Sequence, residues 1–290
     1  MSRMISVAHL TAIELAPPAF IRAAAEAGFD AVGLRLRRVT PTSPAYPLME
    51  DRAAMAETKA ALAQTGLAVH DIEFVMIEPE LDIATLDPLL DAGAELGARE
   101  LITAPYDPDL ARLADTLGAL SERAEARDLG VSLEFFPWAV VPDLAAALAL
   151  AAQAGPGVGV LADSLHFDRS GSSHEALEQA EPGRLRFAHL SDAPVEPSYS
   201  REALLHTARE ARLPPGEGQI DLARFLKALP EGLPLGVEVP MDAHSAAHGP
   251  EATLSRAATA TRALLAEVFG PGDKVPSGAP SRPTEQERPE

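Results

Sequence analysis

Two textures alternate along the chain. Short β-branched or apolar runs occur at 5–10, 31–36, 67–77, 100–104, 131–136, 158–162, 185–190 and 235–239. Between them lie Ala-, Leu-, Glu- and Arg-rich stretches with helical periodicity, such as 18–27, 51–64, 108–128 and 250–269. The first texture predicts strands and the second helices. Gly28, Gly66, Gly97 and Gly130 follow the first four helical stretches, where a left-handed residue can end a helix. Pro142 and Pro250 stand near helix starts, where a missing N–H removes no hydrogen bond.

Strands that alternate with helices imply an α/β protein with a parallel sheet. Eight such repeats in roughly 250 residues fit a closed (β/α)8 barrel, the TIM barrel. The rival is an open doubly wound sheet, which carries a glycine-rich turn after its first strand. That position here reads Thr11-Ala12-Ile13-Glu14-Leu15-Ala16-Pro17, without glycine. Neither a P-loop nor a G-x-S-x-G elbow occurs. The barrel is expected over residues 1–269. Residues 270–290 are rich in Pro, Gly, Ser and charge, with Val275 and Ala279 their only apolar side chains beyond proline, and read as a disordered tail. The connection from Asp192 to Gly218 is polar and Pro-rich and reads as mostly loop, a length that usually signals function.

Charge and composition narrow the function. Lys and Arg number 24 against 43 Asp and Glu, a formal charge of −19. That opposes broad nucleic-acid binding, which needs cations to displace phosphate counterions, and opposes an anionic membrane surface. Cysteine is absent, which removes disulfides, thiolate zinc sites and cysteine nucleophiles. The longest apolar runs, such as 144–152, fall far short of the ~20 residues a bilayer needs. His9, Glu14 and Pro17 arrive too early for a signal peptide. A soluble, cytoplasmic protein is expected, with no nucleic-acid or membrane partner; a homo-oligomer stays open.

A barrel carries its active site at the C-terminal ends of its strands. There the second half of the chain places Glu134, Asp163, His189 and Glu238, on strands five, six, seven and eight. Any one of these acids alone reads as a helix cap or a surface charge. Three carboxylates and an imidazole at one depth would repel one another unless a cation neutralised them. The donor set is hard and suits Mn²⁺, Mg²⁺ or Co²⁺, with Zn²⁺ also compatible. His166 follows Asp163 by three residues and faces either a substrate oxygen or a capping role. Arg201, His206, Arg209 and Arg212 in the long connection are either a solvated charge run or a cationic cover, with Arg212 the best single candidate. Phe136 and Trp138 are either core or an apolar wall for a sugar ring.

These residues carry a resemblance. Leu133-Glu134, Asp163-x-x-His166, Ala188-His189-Leu190-x-Asp192, Pro215-Gly216-Glu217-Gly218 and Val237-Glu238 resemble the xylose isomerase-like TIM barrel superfamily, and within it the sugar phosphate isomerase/epimerase group. The resemblance covers Ile5 to about Phe269. It implies one divalent metal, usually Mn²⁺, held by Glu134, Asp163, His189 and Glu238. It also implies a small polyhydroxylated substrate and an enediolate intermediate, with Glu134 and Glu238 trading the proton. The implied activity is an isomerase or epimerase of a sugar, cyclitol or related keto-polyol. A dehydratase of the inosose or 3-dehydroshikimate type shares the first step. An AP endonuclease-like repair enzyme needs a basic DNA face that a charge of −19 does not supply. Members often carry an acid where this second strand has Leu34-Arg35-Leu36-Arg37. Arg35 there suits a carboxylate, phosphate or other electron-rich oxygen of the substrate, or balances nearby acid. Glu73 either holds a substrate hydroxyl or pairs with Arg35.

Overall fold

In the computed structural model, which describes residues 3–39 and 43–270, the eight apolar runs are eight parallel strands. They are β1 (Ile5–Val7), β2 (Ala31–Arg35), β3 (Ala68–Ile77), β4 (Glu100–Pro105), β5 (Gly130–Glu134), β6 (Val158–Asp163), β7 (Leu185–Leu190) and β8 (Leu235–Val237). Each pairs with its neighbours in sequence, and β8 returns to β1, so the sheet closes as a barrel in the order β1 to β8. The TIM barrel expected from the periodicity is the fold observed. The expected tail lies outside the described residues except for Gly270.

The main core lies between the strands and the surrounding helices. Phe20 and Ile21 of the Pro17–Ala27 helix and Leu113 and Leu117 of the Leu110–Glu125 helix are fully buried there. A smaller cluster of Ile102, Leu161 and Phe187, with Phe74 packed against it, is separate from that core. Leu161 and Phe187 each precede a candidate ligand, Asp163 and His189, by two residues. Side chains two apart in a strand share a face, so this apolar layer supports the polar layer above it.

Strand glycines make room for ionisable side chains. A Cβ on Gly130 would come within 2.6 Å of the Glu100 carboxylate, and one on Gly236 within 2.6 Å of the His189 ring. Gly33 faces Asp71 and Gly159 faces Arg186 in the same way. In three of these four cases the glycine is the direct register partner: Gly33 opposes Asp71, Gly130 opposes Glu100 and Gly236 opposes His189. A small residue on one strand therefore seats a charged or polar one from the next.

One local expectation needs correction. Gly28, Gly66 and Gly97 do take left-handed conformations, but Gly130 opens β5. The left-handed residue after the fourth helix is Asp128, at φ 60°. What Gly130 supplies is the space for Glu100. The connection from Asp192 to Gly218 is mostly loop, as expected, but it also contains a helix, Arg201–Glu210, begun by Ser200, whose side chain accepts from the Ala203 N–H. No helix among the described residues is long and apolar enough to cross a membrane.

Candidate metal centre and substrate cavity

The four candidate ligands meet. Glu134, Asp163, His189 and Glu238 each offer one donor atom, and these atoms all lie within 4.8 Å of one another. Register explains the convergence. Glu134 and Asp163 end their strands, Asp163 is the direct partner of His189, and Glu238 follows β8 with its N–H on the Leu190 carbonyl at 3.1 Å. All four are buried.

Asp163 divides its oxygens between two tasks. Oδ1 accepts from the N–H groups of Leu165 at 2.8 Å and His166 at 3.0 Å, capping the short helix that follows. Oδ2 faces the site. The capping role and the ligand role are thus compatible in one side chain.

Oδ2 of Asp163 and Oε2 of Glu238 each lie 2.6 Å from a terminal nitrogen of Arg212. The guanidinium also donates to Ser191 Oγ at 3.1 Å and, through Nε, to the Ala208 carbonyl at 3.0 Å. Backbone bonds fix its position: the Leu213 N–H donates to Asp192 and the Arg212 N–H to Pro240. Arg212 is thus no solvated loop charge. It reaches the candidate ligands as well as the cavity, a contact the sequence reading missed along with Ser191. Asp192 staples the same connection, accepting from the N–H groups of Gly216 at 3.0 Å and Ile220 at 3.0 Å.

Electrostatics follow this geometry. Burial would push Asp163 up, but Arg212, with His166 and His189, holds it well below the usual carboxylate range. Burial, then the neighbouring Glu238 and Asp163, push Glu134 well up. Burial also raises Glu238, against the opposing pull of Arg212. His189 is lowered to about 4 and His166 to about 3, each chiefly by burial, so both imidazoles are neutral near pH 7.

The residues fit a divalent cation. Both ring nitrogens of His189, and Oε1 of Glu134, are buried without a hydrogen-bond partner. Nδ1 of His189 faces Glu238 Oε2 at 3.8 Å and Asp163 Oδ2 at 4.0 Å, beyond hydrogen-bond reach but fitting for ligands that share one ion. The imidazole already holds the neutral state a metal needs, and a cation bound there would favour the ionised forms of Glu134 and Glu238 that burial opposes.

A cavity of about 470 Å³ opens over this centre. Glu134, His166, Arg212 and Glu238 line it, and so do Arg35 and Glu73. Asp163 and His189 therefore reach the ligand cluster, and Glu134, Glu238, His166, Arg212, Arg35 and Glu73 the cavity; of the other cations of the long connection Arg209 lines it, while Arg201 and His206 do not. His166 Nε2 lies 3.7 Å from Glu134 Oε1, and its Nδ1 is buried without a partner. Phe136 stacks on Trp138 at 5.3 Å, and both rings meet His166 edge-on, at 4.8 and 5.2 Å. Phe74, Met76 and Tyr106 extend the apolar wall. They lie on or just after β3 and β4, and nothing in their spacing separates them from core residues.

Comparison with known proteins agrees with this architecture. The family model for the xylose isomerase-like TIM barrel matches residues 21–264. An inosose isomerase from Bacillus velezensis is 33% identical over 121 residues, a stretch that is 41% of this chain and 41% of that protein. The match thus spans about two-fifths of the relative's length. Among solved structures, the IOLI protein with a bound zinc atom superposes with a TM-score of 0.77 at 20% identity, over 93% of this chain and 99% of that one. D-psicose 3-epimerase, solved in the presence of D-fructose, gives 0.70 at 16% identity, over 93% of this chain and 100% of that one. At such identities the structural likeness speaks for the fold. With the family model spanning most of the barrel, the chain belongs to the xylose isomerase-like TIM barrel family.

Proposed function

We propose that this chain is a divalent-metal-dependent isomerase or epimerase of a sugar, cyclitol or related keto-polyol, working through an enediolate. The observation that carries the reading is the convergence of Glu134, Asp163, His189 and Glu238 from four consecutive strands on one buried point. Mn²⁺ is the ion proposed, because the family resemblance implies it and the hard set of three carboxylates and one imidazole suits it, as it also suits Mg²⁺ or Co²⁺. A divalent ion held there would draw electron density from a substrate carbonyl and make the adjacent C–H more acidic.

The chain's own residues do the rest. One glutamate, Glu134 or Glu238, takes the proton from the carbon beside the carbonyl, and the C–H electron pair becomes the double bond of the enediolate. The other glutamate, protonated, returns a proton. Return to the opposite face of the same carbon epimerises it. Return to the former carbonyl carbon, with the hydroxyl proton of the neighbouring carbon passing to the former carbonyl oxygen, moves the carbonyl along the chain. Either way one proton leaves carbon and one arrives. His166 and Arg212 hold substrate oxygens in line for the transfer. Phe136 and Trp138 offer a flat face to the ring and keep water from the reacting carbon.

The test is a panel of ketohexoses and inososes incubated with Mn²⁺-loaded protein and followed by NMR. Interconversion of isomers that stops on chelation is expected. Formation of an ultraviolet-absorbing enone with loss of water, in place of an isomer, would overturn the reading in favour of a lyase.

A further inference from the structure

We infer that the Arg35–Glu73 pair is a charge gate on the substrate cavity, admitting an uncharged polyhydroxyketone and turning away one that carries a carboxylate or phosphate. This inference rests on the proposed keto-polyol chemistry of the same site. Arg35 ends β2, and Glu73 is its register partner on β3. Their side chains meet at 3.1 Å and are both buried. Phe74 packs beside them, its ring centroid 5.8 Å from the guanidinium carbon.

Both residues line the same cavity as Glu134, His166, Arg212 and Glu238. Each keeps one buried polar atom without a hydrogen-bond partner, Nε of Arg35 and Oε1 of Glu73. Buried polar atoms of this kind are costly unless something meets them. The pair thus has one donor and one acceptor left over, enclosed in the cavity wall, that a small shift of the side chains would turn to a substrate. A hydroxyl both donates and accepts, so hydroxyls on a polyol ring satisfy both atoms together. A carboxylate only accepts. It would find Arg35 already neutralised and would lie against the Glu73 carboxylate. The other buried arginine of the cavity, Arg212, is committed in the same way to Asp163 and Glu238. Arg209, at the rim, is exposed to water beside Glu210. Among the described residues that line the cavity, both buried arginines already face a carboxylate.

The test is calorimetric binding of two probes to the Mn²⁺-loaded protein. One is an inosose, uncharged. The other is 3-dehydroshikimate, a ring hydroxyketone with one carboxylate. Wild type should bind the inosose at least tenfold more tightly. Glu73→Gln leaves the Arg35 charge uncompensated, so the ratio should shift toward 3-dehydroshikimate by at least tenfold. Should that variant fail to fold, the uncharged pair Arg35→Gln/Glu73→Gln should shift the ratio in the same direction. Tighter binding of 3-dehydroshikimate by wild type, or an unchanged ratio in the variants, would overturn the gate while leaving a keto-polyol site standing. Binding of neither probe to any of these proteins would overturn the proposed function and the gate with it.

Discussion

Arg212 lies 2.6 Å from Asp163, at the carboxylate oxygen that His189 also faces. One cation of the chain therefore already sits on the acids proposed to hold the metal. Removing it leaves buried carboxylates uncompensated, which costs about 3–5 kcal/mol. Without metal, Arg212→Ala should melt well below wild type, and Mn²⁺ should raise its melting temperature more than that of wild type. Arg212→Lys should recover only part of the loss, because an ammonium cannot reproduce a planar fork on Asp163, Glu238 and Ser191. Equal metal-free melting temperatures for Arg212→Ala and wild type would contradict this role.

His189 should matter in the opposite condition. Its ring nitrogens have no hydrogen-bond partner, so the metal-free fold gains little from them. His189→Ala should keep most of its metal-free stability yet bind Mn²⁺ at least tenfold more weakly, since one of four donors is gone. Titration of both chelator-treated proteins with Mn²⁺ checks this. Equal affinities would remove His189 from the ligand set.

The sequence made the barrel legible because each strand is a compact apolar run bounded by helix signals. It made the four candidate ligands legible because each stands where a strand ends. Arg212 was legible as the best cationic candidate of the long connection, but its seat on the ligands was not. Its seat depends on two distant pairings, Asp192 with Leu213 and Ala211 with Met241, and no periodic signal reports those. The helix Arg201–Glu210 was missed for a different reason. It is polar overall and buries only Ala208, so it reads as part of a charged connection, although Ser200 followed by Glu202 was a readable helix start. Asp71 shows a third limit. It is buried with neither carboxylate oxygen partnered, and only the structure reveals that Gly33 makes its place.

Gly33 tests that packing. A Cβ there would meet the Asp71 carboxylate. Gly33→Ala should cost roughly 1–3 kcal/mol, the usual range for an overpacked core. In an Asp71→Ala background the same change should cost less than about 1 kcal/mol, since the colliding group is gone. Urea denaturation of the four proteins gives the coupling. Additive effects would show that Gly33 and Asp71 do not share the space.

His9 sets a pH dependence away from the ligands. It is buried between Phe20 and Tyr46, accepts from the Arg35 N–H at Nδ1 and donates through Nε2 to the Leu15 carbonyl. Burial lowers its pKa from 6.5 to about 3. The unfolded chain therefore takes up a proton that the folded chain refuses. Its contribution to stability is complete above pH 6.5 and is lost as pH falls toward 3. One proton corresponds to a slope of about 1.4 kcal/mol per pH unit. Between pH 6 and 4, His9→Gln should lose stability more slowly than wild type by about that slope, by urea denaturation. Parallel curves would contradict a buried neutral His9.

The proposed chemistry requires that a glutamate remove a proton from carbon, and solvent exchange at that carbon reports the event directly. Wild-type protein loaded with Mn²⁺ should exchange the α-hydrogen of an inosose for deuterium in D2O, followed by proton NMR. Glu238→Gln, loaded to the same metal content, should exchange at least a hundredfold more slowly, because an amide of the same size cannot take the proton. Exchange within tenfold of wild type in that metal-loaded variant would contradict Glu238 as a base, and the same result in metal-loaded Glu134→Gln would contradict the paired-glutamate mechanism.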